Sequence, residues 1–186
     1  MKILLHICCG VCASSSIEQL LCKGYNITGY FYNPNIHPVD EYKKRLDSVR
    51  KVAKYFNIDI IEEIYNREVW FPLVKGFEYE KEGEKRCSIC FHIRLLKTYD
   101  YFKKNMFDLF TTTLTISPFK DTSVINNIGL EIGKDKFLCE NFKKNNGFNR
   151  SIELAKKLDL YRQNYCGCIY SLENRLSDKK NENKKK

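Results

Sequence analysis

The chain has 186 residues, of which 43% are hydrophobic and 13% aromatic, and a net charge of +9. A chain of this size buries a core without disulfide staples, and this composition excludes a wholly disordered polypeptide. The charge permits a polyanionic partner without demanding one. No apolar run reaches the roughly 20 residues of a membrane span, and the apolar start is too short for a signal peptide. The chain therefore reads as a cytoplasmic protein with no membrane partner. It divides into one domain over residues 1–174 and a basic tail over 175–186. That tail carries +4 of the charge and is expected to be solvated and disordered.

In chain order, Lys2–Ile7 predicts a buried strand. A Gly/Cys turn follows, with Ser14-Ser15-Ser16 as the cap of a helix through Cys22 that Gly24 ends. Residues 27–32 predict a second strand, closed by the turn signal Asn33-Pro34-Asn35. From Val39 to Phe56, apolar residues recur at Tyr42, Leu46, Val49, Ala53 and Phe56, the spacing of an amphipathic helix. Its outer face is basic, with Lys43, Lys44, Arg50, Lys51 and Lys54. A strand at 58–64, an irregular stretch at 70–86 and a helix from Cys87 to Lys104 follow. Further on, the pattern predicts a strand at 109–114, a helix at 122–132, a short strand near Phe137 and a helix at 151–158. Residues 161–171 look irregular, before a last helix. Strands alternating with helices indicate an α/β fold, a single domain with a mainly parallel sheet.

Nine cysteines dominate the chemistry, and seven fall into three tight groups. With no export signal and an odd count, metal or redox chemistry fits better than a disulfide framework. His6-Ile7-Cys8-Cys9-Gly10-Val11-Cys12 ends the first strand, where open α/β sheets bind ligands. Arg86-Cys87-Ser88-Ile89-Cys90 opens a helix, whose amide dipoles and adjacent cation are expected to lower the thiol pKa values. Tyr165-Cys166-Gly167-Cys168 can chelate a metal or close as a strained disulfide. A structural zinc needs four ligands and would leave thiols over. A 4Fe–4S cluster uses four and leaves three for a second site.

Cys22 and Cys139 lack sequence partners and read as buried hydrophobes. His6 and His37 are candidate acids or ligand-orienting groups, against a purely structural role. Lys120 is a candidate phosphate contact, and Arg162 and Gln163, beside Cys166, are candidates to line a substrate pocket.

These segments carry a resemblance. His6–Cys12, Tyr32-Asn-Pro-Asn-Ile-His-Pro38, Glu41-Tyr42, Arg86–Cys90, Thr111–Leu114 with Ser117-Pro118, Asn141-Phe142-Lys143, Gly147 and Tyr161–Ser171 occur in order. Together they resemble the QueH family of epoxyqueuosine reductases, from about residue 3 to 175. The resemblance implies a Rossmann-like, HUP-type fold with a cysteine-rich metal site at the carboxyl ends of the strands. It implies an oxidoreductase that reduces epoxyqueuosine, at the anticodon wobble position of tRNA, to queuosine, the last step of queuosine biosynthesis. Carried over residue by residue, a 4Fe–4S cluster falls to Cys8, Cys9, Cys87 and Cys90. Cys166 and Cys168 then form a catalytic redox disulfide or, with Cys12, bind a second, mononuclear iron. Cys12 could also exchange with Cys8 or Cys9 in the cluster set. Partners are the epoxyqueuosine-bearing tRNA and an unidentified electron donor. For RNA contact, the basic face at Lys43–Lys54 and the surroundings of Arg162 are the candidates.

Two rivals stand beside this reading. A tRNA-thiolating iron–sulfur ATP pyrophosphatase would need Ser-Gly-Gly and Asp-Ser after the first strand, where this chain has Cys-Cys-Gly-Val-Cys-Ala-Ser-Ser-Ser. A non-enzymatic, zinc-stabilised RNA-binding module would leave three of the seven grouped thiols without work.

Overall fold

The computed structural model describes residues 1–183, with side chains through Asp178. Four strands, β1 (Lys2–His6), β2 (Asn26–Phe31), β3 (Asp59–Glu62) and β4 (Leu109–Thr112), form one parallel sheet in the order β3-β2-β1-β4. Helices α1 (Gly10–Cys22), α2 (Val39–Phe56) and α5 (Gly147–Lys157) build one apolar layer. Helices α3 (Lys85–Lys104) and α4 (Thr122–Gly133) build the other. Ile3, Leu4 and Leu5 of β1 are fully buried between the layers, which is why the centre of this strand is a continuous apolar run that does not alternate. Among the described residues no helix is long and apolar enough to cross a membrane.

The boundaries depart from the sequence expectation in instructive places. α1 starts at Gly10, not after the serines, and Cys9 is its N-cap. Ser14, Ser15 and Ser16 are buried inside the helix, where small side chains let it pack closely. β4 stops at Thr112 and Thr113–Ile116 forms a 3-10 turn. Phe137 makes only an isolated parallel bridge to Phe110. α6 runs from Ile169 to Asn183, so the stretch expected to be a disordered tail is helical to that point. Residues 184–186 of the tail lie outside the described residues.

The chain leaves β1 toward β2 on one side and returns to β4 on the other, so the order reverses between β1 and β4. A crevice opens at such a switch point, outside the carboxyl ends of the strands. His6 ties those ends together. Its Nδ1 lies 2.8 Å from Thr112 Oγ1 and its Nε2 lies 3.2 Å from the Tyr32 carbonyl. Burial, and then the charge of Arg94, push its pKa down to about 3. His6 is thus a neutral structural tie and not an acid.

A second device positions the Tyr161–Cys168 segment. Arg45 and Glu41, one turn apart on α2, are 3% and 6% exposed and form a 2.7 Å ion pair. The Arg45 Nη1 and Nη2 donate to the carbonyls of Cys166 (2.9 Å) and Tyr165 (3.1 Å). Tyr161 donates its hydroxyl to Glu41 at 2.6 Å. Gly167, at φ +129°, turns the chain where a Cβ would come within 3.1 Å of Arg45 Nη1.

Two stability measurements follow from this packing. A helical glycine replaced by alanine ordinarily gains up to about 1 kcal/mol. At Gly10 a Cβ would sit 2.7 Å from the Ser48 backbone, so Gly10→Ala is expected to cost about 1–3 kcal/mol in urea unfolding. Arg45→Met strands a buried carboxylate and two carbonyls, with an expected loss of about 3–5 kcal/mol by the same assay.

Candidate functional site

β1 delivers the chain directly into Cys8 and Cys9, and α1 begins at the next residue. The Cys9 sulfur accepts the backbone N–H of Cys12 at 3.5 Å and lies 3.9 Å from the Cys8 sulfur. All three Sγ atoms of Cys8, Cys9 and Cys12 lie within 4.8 Å of one another. Thr113, just past β4, grips Cys8 twice. Its Oγ1 accepts the Cys8 N–H at 3.2 Å and donates to the Cys8 sulfur at 3.4 Å. The switch point is therefore closed by a threonine–cysteine bridge between β1 and β4. From the far loop, Gln163 Nε2 donates to the Cys9 sulfur at 3.0 Å.

This crowding polarises the trio. Hydrogen bonds from Cys12 and Cys9 hold the Cys8 thiol well below its usual pKa, against burial. Cys12 is pushed up because it shares that hydrogen bond with Cys8. Cys9 gains from Cys12, but Cys8 and burial outweigh that and push it up to about 12. Three sulfurs at this spacing, one of them with its thiol pKa held low, are a donor set for a soft metal.

The other thiols form a second group. Burial pushes Cys87 up to about 11 and Cys90 up to about 12, and charge on Cys166 and Cys168 adds to both. The lowering expected from the α3 N-terminus does not occur. Arg86, the cation meant to assist, donates instead to the carbonyls of Phe77 (3.0 Å) and Glu78 (2.7 Å). Cys166 and Cys168 are free thiols, the reduced form of the expected pair. The set expected to hold a cluster, Cys8, Cys9, Cys87 and Cys90, takes two thiols from each group. The groups adjoin, since Cys8 packs against the apolar cluster that contains Cys87.

Above the thiols opens a cavity of about 610 Å³, lined by Cys8, Cys12, Cys166, Lys120, Arg162 and Gln163 among others. A smaller recess holding Cys87 shares Lys120, Phe119 and Cys166 with it. All three residues expected to bind substrate thus face one space. Burial opposes the Lys120 charge, but Cys166, Cys8 and Cys12 outweigh it and raise its pKa. Lys120 is therefore an ammonium held beside thiols.

Lining residues that the sequence reading did not single out include Asn33, Asn35, Arg45, Arg94 and Phe119. The Oδ1 atoms of Asn33 and Asn35 are buried without a partner; in sequence this pair signalled only a turn. Arg45 and Arg94 sit on helices where the spacing gives no sign that a cation points inward. Other candidates lie elsewhere. His37 is buried and stacked on Phe71, with centroids 4.9 Å apart, and burial pushes its pKa down to about 4. Cys22 and Cys139, expected to be buried, are both exposed.

Residues 3–174 match the family model described as epoxyqueuosine reductase QueH. An epoxyqueuosine reductase QueH from Haemophilus influenzae is 41% identical, over 92% of this chain and 71% of its own length. The protein of that name from Streptococcus pyogenes is 40% identical, over 91% and 70%. That from Thermotoga maritima is 37% identical, over 91% and 90%. Among solved structures, a predicted tRNA methyltransferase subunit from Methanocaldococcus jannaschii superposes with a TM-score of 0.55 at 14% identity, covering 84% of this chain and 74% of that one. The U34-tRNA thiolase NcsA from Methanococcus maripaludis, solved with its [4Fe-4S] cluster, gives 0.53 at 16%, covering 92% and 61%. At such identities the structural likeness is one of fold alone. The family match is of another order, and the chain belongs to the QueH family of epoxyqueuosine reductases.

Proposed function

We propose that this chain reduces epoxyqueuosine, in the wobble position of a tRNA anticodon, to queuosine. The epoxide takes up two electrons and two protons, loses its oxygen as water and leaves a cyclopentene. The observation that carries the reading is the single cavity in which thiols, an ammonium and unpartnered amide oxygens face each other. Thiols can hold the redox centre, and polar groups can orient a hydroxylated ring.

We assign Cys8, Cys9, Cys87 and Cys90 to a 4Fe–4S cluster, which supplies electrons one at a time at low potential from a separate donor. The fit rests on the donor chemistry: soft sulfur ligands, three of them, Cys8, Cys9 and Cys12, clustered within 4.8 Å of one another. Cys166 and Cys168 make the second redox site, passing from dithiol to disulfide or, with Cys12, holding one iron. The chain's own polar groups do the rest. Lys120 offers a fixed ammonium to stabilise the negative charge that develops on the departing oxygen. Asn33 and Asn35 offer acceptors to ring hydroxyls, and Gln163 holds Cys9 in register. Phe119, 79% exposed at the rim, offers a stacking face to an unstacked base, while Arg162 and the exposed lysines of α2 meet phosphates.

Anaerobic protein, incubated with epoxyqueuosine-bearing tRNA and a strong reductant, is expected to yield queuosine by nucleoside mass spectrometry. About four irons per chain would mark the dithiol version, and one more the second-iron version. Iron-loaded protein without product would reject the substrate, and colourless zinc protein would favour a binding module. Cys166→Ala is expected to abolish deoxygenation while the cluster absorbance persists; full turnover would reject both versions of the second site. Phe119→Ala is expected to weaken tRNA binding by roughly 5- to 150-fold, the equivalent of one lost stack. Wild-type affinity should fall steeply as salt rises.

A further inference from the structure

Three arginines are buried around the thiols. Arg45 has Glu41 and two carbonyls. Arg86 gives its Nη1 to two carbonyls and lies over the Tyr170 ring, away from the cavity, with its Nε unpartnered. Arg94, farther along α3, is the one without a carboxylate that borders the cavity. It is 3% exposed, and among the described residues no carboxylate pairs with it. Its Nε donates to the Cys90 carbonyl at 3.0 Å, its guanidinium lies 5.6 Å from the Phe91 ring centroid, and its Nη2 is buried with no partner. A guanidinium cannot shed its proton to escape burial, and an uncompensated buried charge costs several kcal/mol. Arg94 lines the cavity together with Cys8, Cys12 and Cys166.

We propose that Arg94 is the built-in counter-charge of the thiolate-held metal group and sets its reduction potential. The inference rests on the metal reading given above. Every thiolate ligand adds a negative charge, and reduction adds another, so a fixed cation favours the reduced form. The orphaned Nη2 is then a donor waiting for sulfur or metal-bound sulfide, the second-sphere contact that tunes such centres. Arg94 acts through the metal group and is a positioning residue.

The test compares wild type, Arg94→Met and Arg94→Gln, each reconstituted anaerobically. Dye-mediated titration followed by EPR reads the midpoint potential. Loss of the cation is expected to disfavour the reduced form at least tenfold at fixed potential, a shift of about 59 mV to the negative for a one-electron couple. Melting of the two forms adds a readout that needs no turnover. Without metal, Arg94→Met removes an unpaired buried charge and should melt no lower than wild type; with metal, it should melt lower. An unchanged potential together with weaker tRNA binding would make Arg94 a substrate contact and overturn the inference. So would an equal fall in melting temperature of both forms, the mark of a purely structural residue. Wild-type protein that never takes up iron would overturn the metal reading itself.

Discussion

The site depends on one buried grip, the fork of Arg45 on the carbonyls of Tyr165 and Cys166. The thiols come from three segments: the β1–α1 turn, the start of α3 and a loop near the end of the domain. The first two are placed by the sheet and its helices. The third has no regular structure of its own, since Tyr161–Cys168 lies between α5 and α6. Hydrogen bonds fix it: to α2 through Arg45, through Glu41 and Tyr161, and through Ser48 Oγ accepting the Tyr161 N–H at 3.1 Å. Further bonds join Gly167 and Tyr165 to the His37 backbone and Gln163 to Cys9. A buried ion pair is a poor source of net stability. This one is better understood as a placement device, because each partner spends its remaining hydrogen-bonding capacity on the loop.

The sheet adds a constraint of a different kind. A parallel order that reverses beside β1 leaves a crevice whatever the side chains are. Many proteins fill that place with a glycine-rich phosphate loop; here the turn carries sulfur. Gly10 is needed because α1 begins against Ser48 of α2, with no room for a Cβ. Close approach of α1 to α2 therefore brings the Cys8–Cys12 turn and the Arg45-held loop into one neighbourhood. The Gln163 bond to the Cys9 sulfur is the visible result. Packing of two helices and assembly of the thiols are the same event.

That relation explains what could be read from the sequence. The strands at Lys2–Ile7 and 27–32 and the helices at 39–56 and 122–132 follow local periodicity, and the structure keeps them within a residue or so. The α1 start was misread because the serines look like a cap, and only tertiary contact shows that a cysteine does that work. The site residues divide the same way. Cysteines, Lys120, Arg162 and Gln163 stood out by spacing or by position beside a motif. Arg45 and Arg94 did not, because an inward-facing arginine looks like any other residue in an amphipathic pattern. Asn33 and Asn35 carried a turn signal that hid their unpartnered oxygens. The cluster of Cys8, Cys9 and Cys12 was legible in the sequence, but that Cys166 shares a cavity with Cys8 and Cys12 and a recess with Cys87 was not, since distance along the chain says nothing of distance in space.

The charges around the cavity carry the argument one step further. Burial alone would neutralise every ionisable group there: it raises thiols and lowers lysine. The structure offsets this with paired opposites. The neighbours of Cys8 hold its thiol pKa down, and the sulfurs beside Lys120 hold its ammonium pKa up, each against burial. Arg94 cannot neutralise at all. The charges committed to this cavity favour an anionic group on the side of Arg94 and a polar one on the side of Asn33 and Asn35. A thiolate-held metal group would suit the first side, and a hydroxylated ring entering from the rim the second. The proposed metal group and the proposed substrate would then share one cavity, each offsetting a cost the other leaves in place.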